Sequence, residues 1–480
     1  MGAGTQLSLP EGLRALGALA TQQTQRYPLR RAPAVSGERL TLTARPTSSD
    51  IGPGVVDAWT LNGSLPSPTI RLREGRTARI DLVNQLPEPT ILHWHGLSVP
   101  EAADGHPRFA IQPGGTYAYE FPVHNRAGTY WYHPHTHMRT APQTYRGLGG
   151  FLIVEGDEEA AHELPRGEYE IPIVLQDKRL GGSVSLTYEL GMGPDMMMGY
   201  LGDTAFGNGV ANPTLDVRRA RYRLRLLNGS NARILELGLS NGEPLTLIGG
   251  DGGLLEAPAR VQRIMLAPAE RADVLVDFSA RRPGERIMLR SFAFQIPGMM
   301  MGMGMGGGMG RGGMMGGLML GTEMDFVEFV VQDTAPEPFE PLPSRLSELP
   351  GLDVDAGTPR RTFRFQSMMM NHTINGQSFA MARVDERVRQ GQTEVWTYVN
   401  ESELPHPVHV HGGQFRVLSR TGGRGRVMPW EMGPKDTVLV LPGERADVAV
   451  HFVHPGIFLL HCHNLEHEDM GMMLNFEVVE

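Results

Sequence analysis

The sequence predicts an all-β chain of three β-sandwich domains, and three observations carry that prediction. Apolar and polar residues alternate in segments such as Thr77-Ala-Arg-Ile-Asp-Leu-Val, Tyr222-Arg-Leu-Arg-Leu-Leu and Thr393-Glu-Val-Trp-Thr-Tyr-Val, the period of a strand with one buried face. Asn-Gly turns recur at Asn62-Gly63, Asn208-Gly209 and Asn375-Gly376, and 20 to 25 residues after each an Asn ends a strand, at Asn84, Asn228 and Asn400. A chain of 480 residues exceeds one core and divides into about three domains of ~150 residues.

In chain order, helical periodicity is confined mainly to Glu11 to Gln23 and to a short stretch after Cys462. Domains are expected over 28–157, 165–335 and 358–480. The linkers fall near Glu155 to Pro165 and Thr334 to Pro359, where Glu, Pro and Ser replace strand patterning. Pro268-Ala-Glu-Arg-Ala-Asp-Val274 nearly duplicates Pro442-Gly-Glu-Arg-Ala-Asp-Val448, with Pro113-Gly114 opening a weaker counterpart. One supersecondary unit is therefore used three times. The sheets are expected to be antiparallel and half-buried, with Trp94, Trp131 and Trp396 in the sandwich cores.

Charge excludes one class of function, since 44 Lys and Arg against 53 Asp and Glu leave a net charge of -9, unsuited to binding nucleic acid. No apolar run approaches the ~18 residues of a membrane span, and no signal peptide is visible between Met1 and Arg30. Cys462 is the only cysteine, so no internal disulfide forms.

The segment from Pro297 to Gly321 reads Gly and Met almost exclusively: Met299, Met300, Met301, Met303, Met305, Met309, Met314, Met315 and Met319, with Arg311 its only charge. Nothing in it alternates, so a loop without a packed core is expected. Its thioethers are soft ligands suited to capture of Cu(I).

Seventeen His occur, and ten fall in four clusters: His93-Trp-His95, His133-Pro-His135, His406-Pro-Val-His409-Val-His411, and His461-Cys-His463 with His467. Residues i and i+2 of a strand share a face, so each His-x-His aims two imidazoles at one point. Two such pairs lie in the first third and two in the last, which sets the site between the end domains. Eight imidazoles without a carboxylate partner suit copper or zinc, and their number implies a cluster of three ions. Alternation turns Cys462 to the opposite face, toward a separate ion. His406, His467 and Met472 complete a set of one Cys, two His and a weak axial Met, that of blue copper.

The motifs His93-Trp-His-Gly96, Tyr130-Trp-Tyr-His-Pro-His135, His406-Pro-Val-His-Val-His-Gly412 and His461-Cys-His-Asn-Leu-Glu-His-Glu-Asp-Met-Gly-Met472 resemble those of the multicopper oxidases. The bacterial three-domain laccases and cuprous oxidases are the nearest in pattern, and the resemblance covers nearly the whole chain. It implies three cupredoxin-like Greek-key β-sandwich domains and about four copper ions. The type 1 ion would be held by His406, Cys462, His467 and Met472, the type 2 ion by His93 and His409, and the type 3 pair by His95, His133, His135, His411, His461 and His463. One-electron oxidation of phenols, aromatic amines or Cu(I) would be coupled through Cys462 to reduction of dioxygen to water. Asp104 and Glu468 match proton-supplying positions, beside their readings as a turn in Ala103-Asp104-Gly105 and a solvated helix start. The resemblance also implies a periplasmic or extracellular bacterial enzyme with a leader this chain does not show. A monomer is expected.

His137 reads as a support for the ligands, and His106, His124, His162, His372, His451 and His454 as hydrogen-bonded or surface residues. The triplets Met196 to Met198 and Met368 to Met370 stay open between core filling and another use, because three in a row on a strand cannot all face inward. The Met-rich segment favours a cuprous oxidase serving copper tolerance, with a general phenol-oxidising laccase as the alternative. A copper-buffering protein is a different class, but it needs neither Cys462 nor eight converging His. A copper nitrite reductase needs fewer imidazoles, and a non-enzymatic scaffold predicts eroded ligands. The approach to His406, Asn400-Glu-Ser-Glu-Leu-Pro405, departs from the Asp- and Met-containing approach of some cuprous oxidases, with Glu401 or Glu403 as substitutes. Axial Met472 leads to an expectation of poor direct oxidation of high-potential phenols.

Overall fold

The computed structural model describes residues 25–180, 184–191, 193–297, 318–349, 351, 353–368 and 370–480. The helix expected at Glu11 to Gln23 lies outside these residues, as does most of the Met-rich segment. Among the described residues six sheets form three sandwiches of the cupredoxin type. The first pairs a four-stranded sheet (Arg39–Asp50, Val55–Leu61, Thr77–Asn84, Thr116–Pro122) with a five-stranded sheet (Ala34–Ser36, Thr69–Arg73, Leu92–His95, Gly128–Pro134, Gly150–Glu155). The middle sandwich has sheets of seven and six strands, and the last has sheets of six and five. Each encloses its own apolar core. Tyr27–Pro28 pairs with Pro213–Val217 and so extends a sheet of the middle sandwich.

The repeat read from the sequence is one structural device used three times. Asn62, Asn208 and Asn375 have φ of 55°, 48° and 51°, and the glycines after them 75°, 72° and 74°, the left-handed pair of a type I′ turn. Each of these Asn side chains accepts from a backbone N–H of a neighbouring strand, at Thr43, Val174 and Arg364. Asn84, Asn228 and Asn400 each donate Nδ2–H to two carbonyls and accept from the N–H two residues on. A buried strand end is thereby satisfied without water.

The sheets are mixed, not antiparallel throughout. Arg39–Asp50 runs parallel to Thr77–Asn84, Glu170–Lys178 to Arg221–Asn228, and Arg360–Met368 to Thr393–Asn400. At least two other strands intervene between the members of each pair, so the chain crosses over and returns in the same direction instead of turning back in a hairpin. Packing between sandwiches also buries faces that the alternation assigned to solvent. Arg223 and Arg225 are both 1% exposed, their guanidinium groups paired with Asp273, Glu159 and Glu170. Trp94 and Trp396 lie in sandwich cores. Trp131 does not: it sits with Phe151, Leu227 and Ala269 between the first and middle sandwiches, stacked on His133 at 4.2 Å between ring centroids.

Candidate metal centre

Each histidine pair is set by strand register. His93 on Leu92–His95 stands opposite His133 on Gly128–Pro134, and His409 on His406–Val410 stands opposite His461 on Gly456–Cys462. The ends of these strands from the first and last sandwiches meet, and the eight rings converge with 0–1% exposure. Nitrogen separations sort them. His93 Nε2 lies 3.3 Å from His409 Nε2. His133 Nε2 lies 3.4 Å from both His95 Nδ1 and His463 Nε2. His461 Nε2 lies 3.1 Å from His411 Nε2 and 3.3 Å from His135 Nε2.

These separations match the spacing that shared ligation requires. Two nitrogens each ~2.0 Å from one ion, at a near-tetrahedral angle, stand ~3.3 Å apart. Three of the outer nitrogens are held by main-chain carbonyls, the support that orients metal-binding imidazoles. His93 Nδ1–H donates to Asp104 O (2.6 Å), His409 Nδ1–H to Asp436 O (2.8 Å) and His133 Nδ1–H to Pro134 O (2.9 Å). Burial drives His93 down to about 3, and it holds His95, His133, His135, His409, His411 and His463 well below the ordinary histidine value. Neutral rings keep the lone pairs that a metal needs.

The expectation of no carboxylate partner is overturned. Asp104 Oδ2 lies 2.7 Å from His411 Nδ1. Glu468 lies 3.2 Å from His461 Nδ1 and 3.5 Å from His135 Nε2. Asp436 Oδ1 lies 2.9 Å from His95 Nε2. None of the three is more than 2% exposed, so Asp104 is no surface turn and Glu468 is not solvated. Asp436 carried no spacing signal. Its clue was a Lys435-Asp436 charge pair set just before the apolar run that ends at Leu441.

Cys462 points the other way, into the core of the last sandwich together with Met472. Its Sγ lies 3.4 Å from His406 Nδ1 and 3.7 Å from His467 Nδ1. Met472 is fully buried, and its carbonyl accepts from Cys462 N–H at 3.0 Å. Burial pushes the Cys462 thiol up, so a metal is what would make it a thiolate. His406 falls to about 3 for the same reason of burial. A thiol, two imidazoles and a thioether are the donors of a blue copper site.

Several neighbours of this second group were not legible. Ser402 Oγ lies 2.8 Å from His406 Nε2, inside the approach segment where Glu401 and Glu403 drew attention. Glu401 is engaged by Arg364 and Gln366. Met196 to Met198 form the helix Pro194–Met198, not a strand. The carbonyl oxygens of Met196 and Met197 accept from His372 Nε2 and His467 Nε2, both at 2.9 Å, and His372 stacks on His467 at 4.0 Å. His106 is buried against Asn475. His137 packs near Phe379 at 5.4 Å, apart from the convergent rings.

Known proteins share this architecture. Family models described as multicopper oxidase match residues 44–159, 189–299 and 352–480. The chain is 35% identical over 422 residues to a multicopper oxidase of Staphylococcus haemolyticus, covering 87% of this chain and 83% of that one. It is 30% identical to a laccase of Bacillus stratosphericus, over 88% and 91% of the two chains. The crystal structure of the McoA multicopper oxidase of Aquifex aeolicus superposes with a TM-score of 0.84 at 35% identity, over 95% of this chain and 100% of that one. With these matches along its length and a donor set suited to copper, the chain belongs to the multicopper oxidases, copper enzymes that use oxygen as acceptor.

Proposed function

We propose that this oxidase couples one-electron oxidation of Cu(I) to the four-electron reduction of dioxygen to water with about four copper ions, and serves copper tolerance in a bacterial periplasm or outside the cell. The observation that carries the reading is the sorting of eight imidazoles into a pair and two triads beside a buried Cys462. His93 and His409 would hold the type 2 ion. His95, His133 and His463 would hold one type 3 ion, and His135, His411 and His461 the other. His406, Cys462, His467 and Met472 would hold the type 1 ion. Bound copper would supply one-electron transfer at Cys462 and reduction of dioxygen at the cluster. Cys462 is bonded through the backbone to His461 and His463, so two residues join the centres. Asp104 and Glu468, against the rings of His411 and His461, would hold and release the protons that reduction consumes.

Cu(I) as substrate is supported by a methionine-bearing helix at the His467 edge. The helix Pro194–Met198 closes over that edge, and Met197 is 41% exposed. Arg233 binds the carbonyls of Leu318 and Gly202 together, at 2.7 Å and 2.9 Å, which roots the end of the Met-rich segment close to this helix. Phenol oxidation is the second reading, favoured by the likeness to a laccase. Oxygen consumption by the copper-loaded protein, with Cu(I) or a simple phenol and with or without residues 297–321, separates them. Excision is expected to lower the Cu(I) rate and raise the phenol rate; unchanged rates would leave laccase as the function. Copper buffering without turnover would show as bound copper and no oxygen uptake.

A further inference from the structure

Seven of the clustered imidazoles turn Nε2 toward another imidazole, and His95 alone turns Nδ1. Its Nε2 is taken by Asp436 Oδ1 at 2.9 Å and Thr437 Oγ1 at 3.1 Å. A half-turn about the Cβ–Cγ bond would put Cδ2 where Nδ1 stands and Cε1 where Nε2 stands, so whatever fixes Asp436 keeps a nitrogen of His95 facing the cluster. That anchor is Arg271, from the middle sandwich, which supplies none of the eight rings.

Arg271 has five N–H donors, and each has an acceptor. Nη1 donates to Asp436 Oδ1 (2.7 Å) and Ala269 O (2.9 Å). Nη2 donates to Asp436 Oδ2 (2.5 Å) and Asp251 O (3.0 Å). Nε donates to Thr129 O (3.0 Å), on the strand that carries His133. The guanidinium thus touches all three sandwiches at 0% exposure. Lys435 closes the arrangement, its Nζ 2.8 Å from Asp251 and 2.9 Å from Glu270. Gly96, directly after His95, makes room for it: with φ of +87°, a Cβ there would stand 2.3 Å from Asp436 Oδ2 and 3.0 Å from Arg271 Nη2.

We infer that Arg271 is a positioning residue for the trinuclear site, acting through the fork it makes with Asp436 to hold His95 with Nδ1 toward the ions. The inference rests on the ligand assignment proposed above. The middle sandwich, which supplies none of the eight rings, then sets the geometry of one type 3 position.

The test compares copper-loaded wild type with Arg271→Lys and Gly96→Ala. Lysine keeps the charge among Asp251 and Asp436 and loses the planar fork, whereas the alanine methyl crowds the fork with no change of charge. The readouts are copper per chain, the blue band and the fraction of copper visible by electron paramagnetic resonance. A coupled type 3 pair is silent in that measurement, and loss of one member makes the other visible. Both variants are expected to keep the blue band, lose about one copper ion per chain and show a larger visible fraction. Wild-type copper content and visible fraction in both would overturn the inference, and so would loss of all copper signals together, which marks Arg271 as interdomain packing only. A wild type with no silent pair would overturn the trinuclear assignment itself, and the inference with it.

Discussion

Asp104 Oδ2 lies 2.7 Å from His411 Nδ1, and the main-chain oxygen of Asp104 accepts from His93 Nδ1–H at 2.6 Å. One residue of the first sandwich therefore aligns an imidazole from each end of the chain. Asp104→Asn keeps the shape and the main-chain bond while removing the carboxylate. Copper content and blue colour are expected to stay, and reoxidation of the fully reduced protein by oxygen to slow about 10²–10³-fold. Stopped-flow reoxidation reads this directly, and anaerobic reduction by substrate, which does not use Asp104, is expected to keep its rate. Reoxidation at the wild-type rate would remove Asp104 from proton supply.

Cys462 is the sole thiol, is fully buried, and stands between His461 and His463. Cys462→Ser is expected to abolish the blue band and reduce oxygen uptake to background while the trinuclear copper stays bound. Serine is close to cysteine in size, so the thermal midpoint of the copper-free protein is expected to shift by only a few degrees. Oxygen uptake retained in this variant would mean that electrons reach the cluster by another route.

Ser402 Oγ meets His406 Nε2 at 2.8 Å and also receives Leu404 N–H. Ser402→Ala leaves the outer nitrogen of a buried imidazole with only the longer contact to Ser367 at 3.4 Å. A loss of about 1–3 kcal/mol of stability is expected, together with a broadened blue band as the ring gains freedom. Denaturant titration and the visible spectrum check the two effects, and an unchanged spectrum would show that ring packing alone fixes His406.

The histidine pattern was legible because ligation demands residues at fixed local spacing, and period-two geometry turns that spacing into direction. The Asn-Gly repeat was legible for the same reason: the turn itself dictates the residue types. The supports of the site lie far apart in sequence. Arg271 meets Asp436 across 165 positions, and His467 meets the carbonyl of Met197 across 270. No spacing rule reaches that far. Arg223 and Arg225 show the matching failure in the fold, since alternation names two faces of a strand without saying whether another sandwich covers the polar one. The helix at Met196 to Met198 was hidden by its length of five residues, too short for a periodicity to show.

Acid sensitivity of the copper-free protein follows from the buried rings. His93 and His406 are held down to about 3 by burial, against an ordinary value of 6.5. Between those values the unfolded chain takes up protons that the folded chain refuses, so stability is full above about pH 6.5 and falls as the pH drops toward 3. Each ring contributes a slope of about 1.4 kcal/mol per pH unit in that window. Buried carboxyl groups act in the opposite sense. Asp104 and Asp469 are pushed well above their usual range by burial, and Glu270, Asp436 and Glu466 are raised as well, so the folded state gains protons from them on acidification. The nine lowered imidazoles of the two ligand groups outnumber these five carboxyl groups, and a net loss of stability on acidification is expected. Thermal midpoints of the copper-free protein are expected to fall steeply below about pH 6. Under the proposed ligand assignment copper would occupy the same nitrogens, so the loaded protein is expected to lie above the copper-free curve throughout and to hold its midpoint further into the acid range before copper is released. A copper-free midpoint that stays level or rises between pH 7 and 5 would mean that the empty site admits water and lets the rings protonate in the folded state.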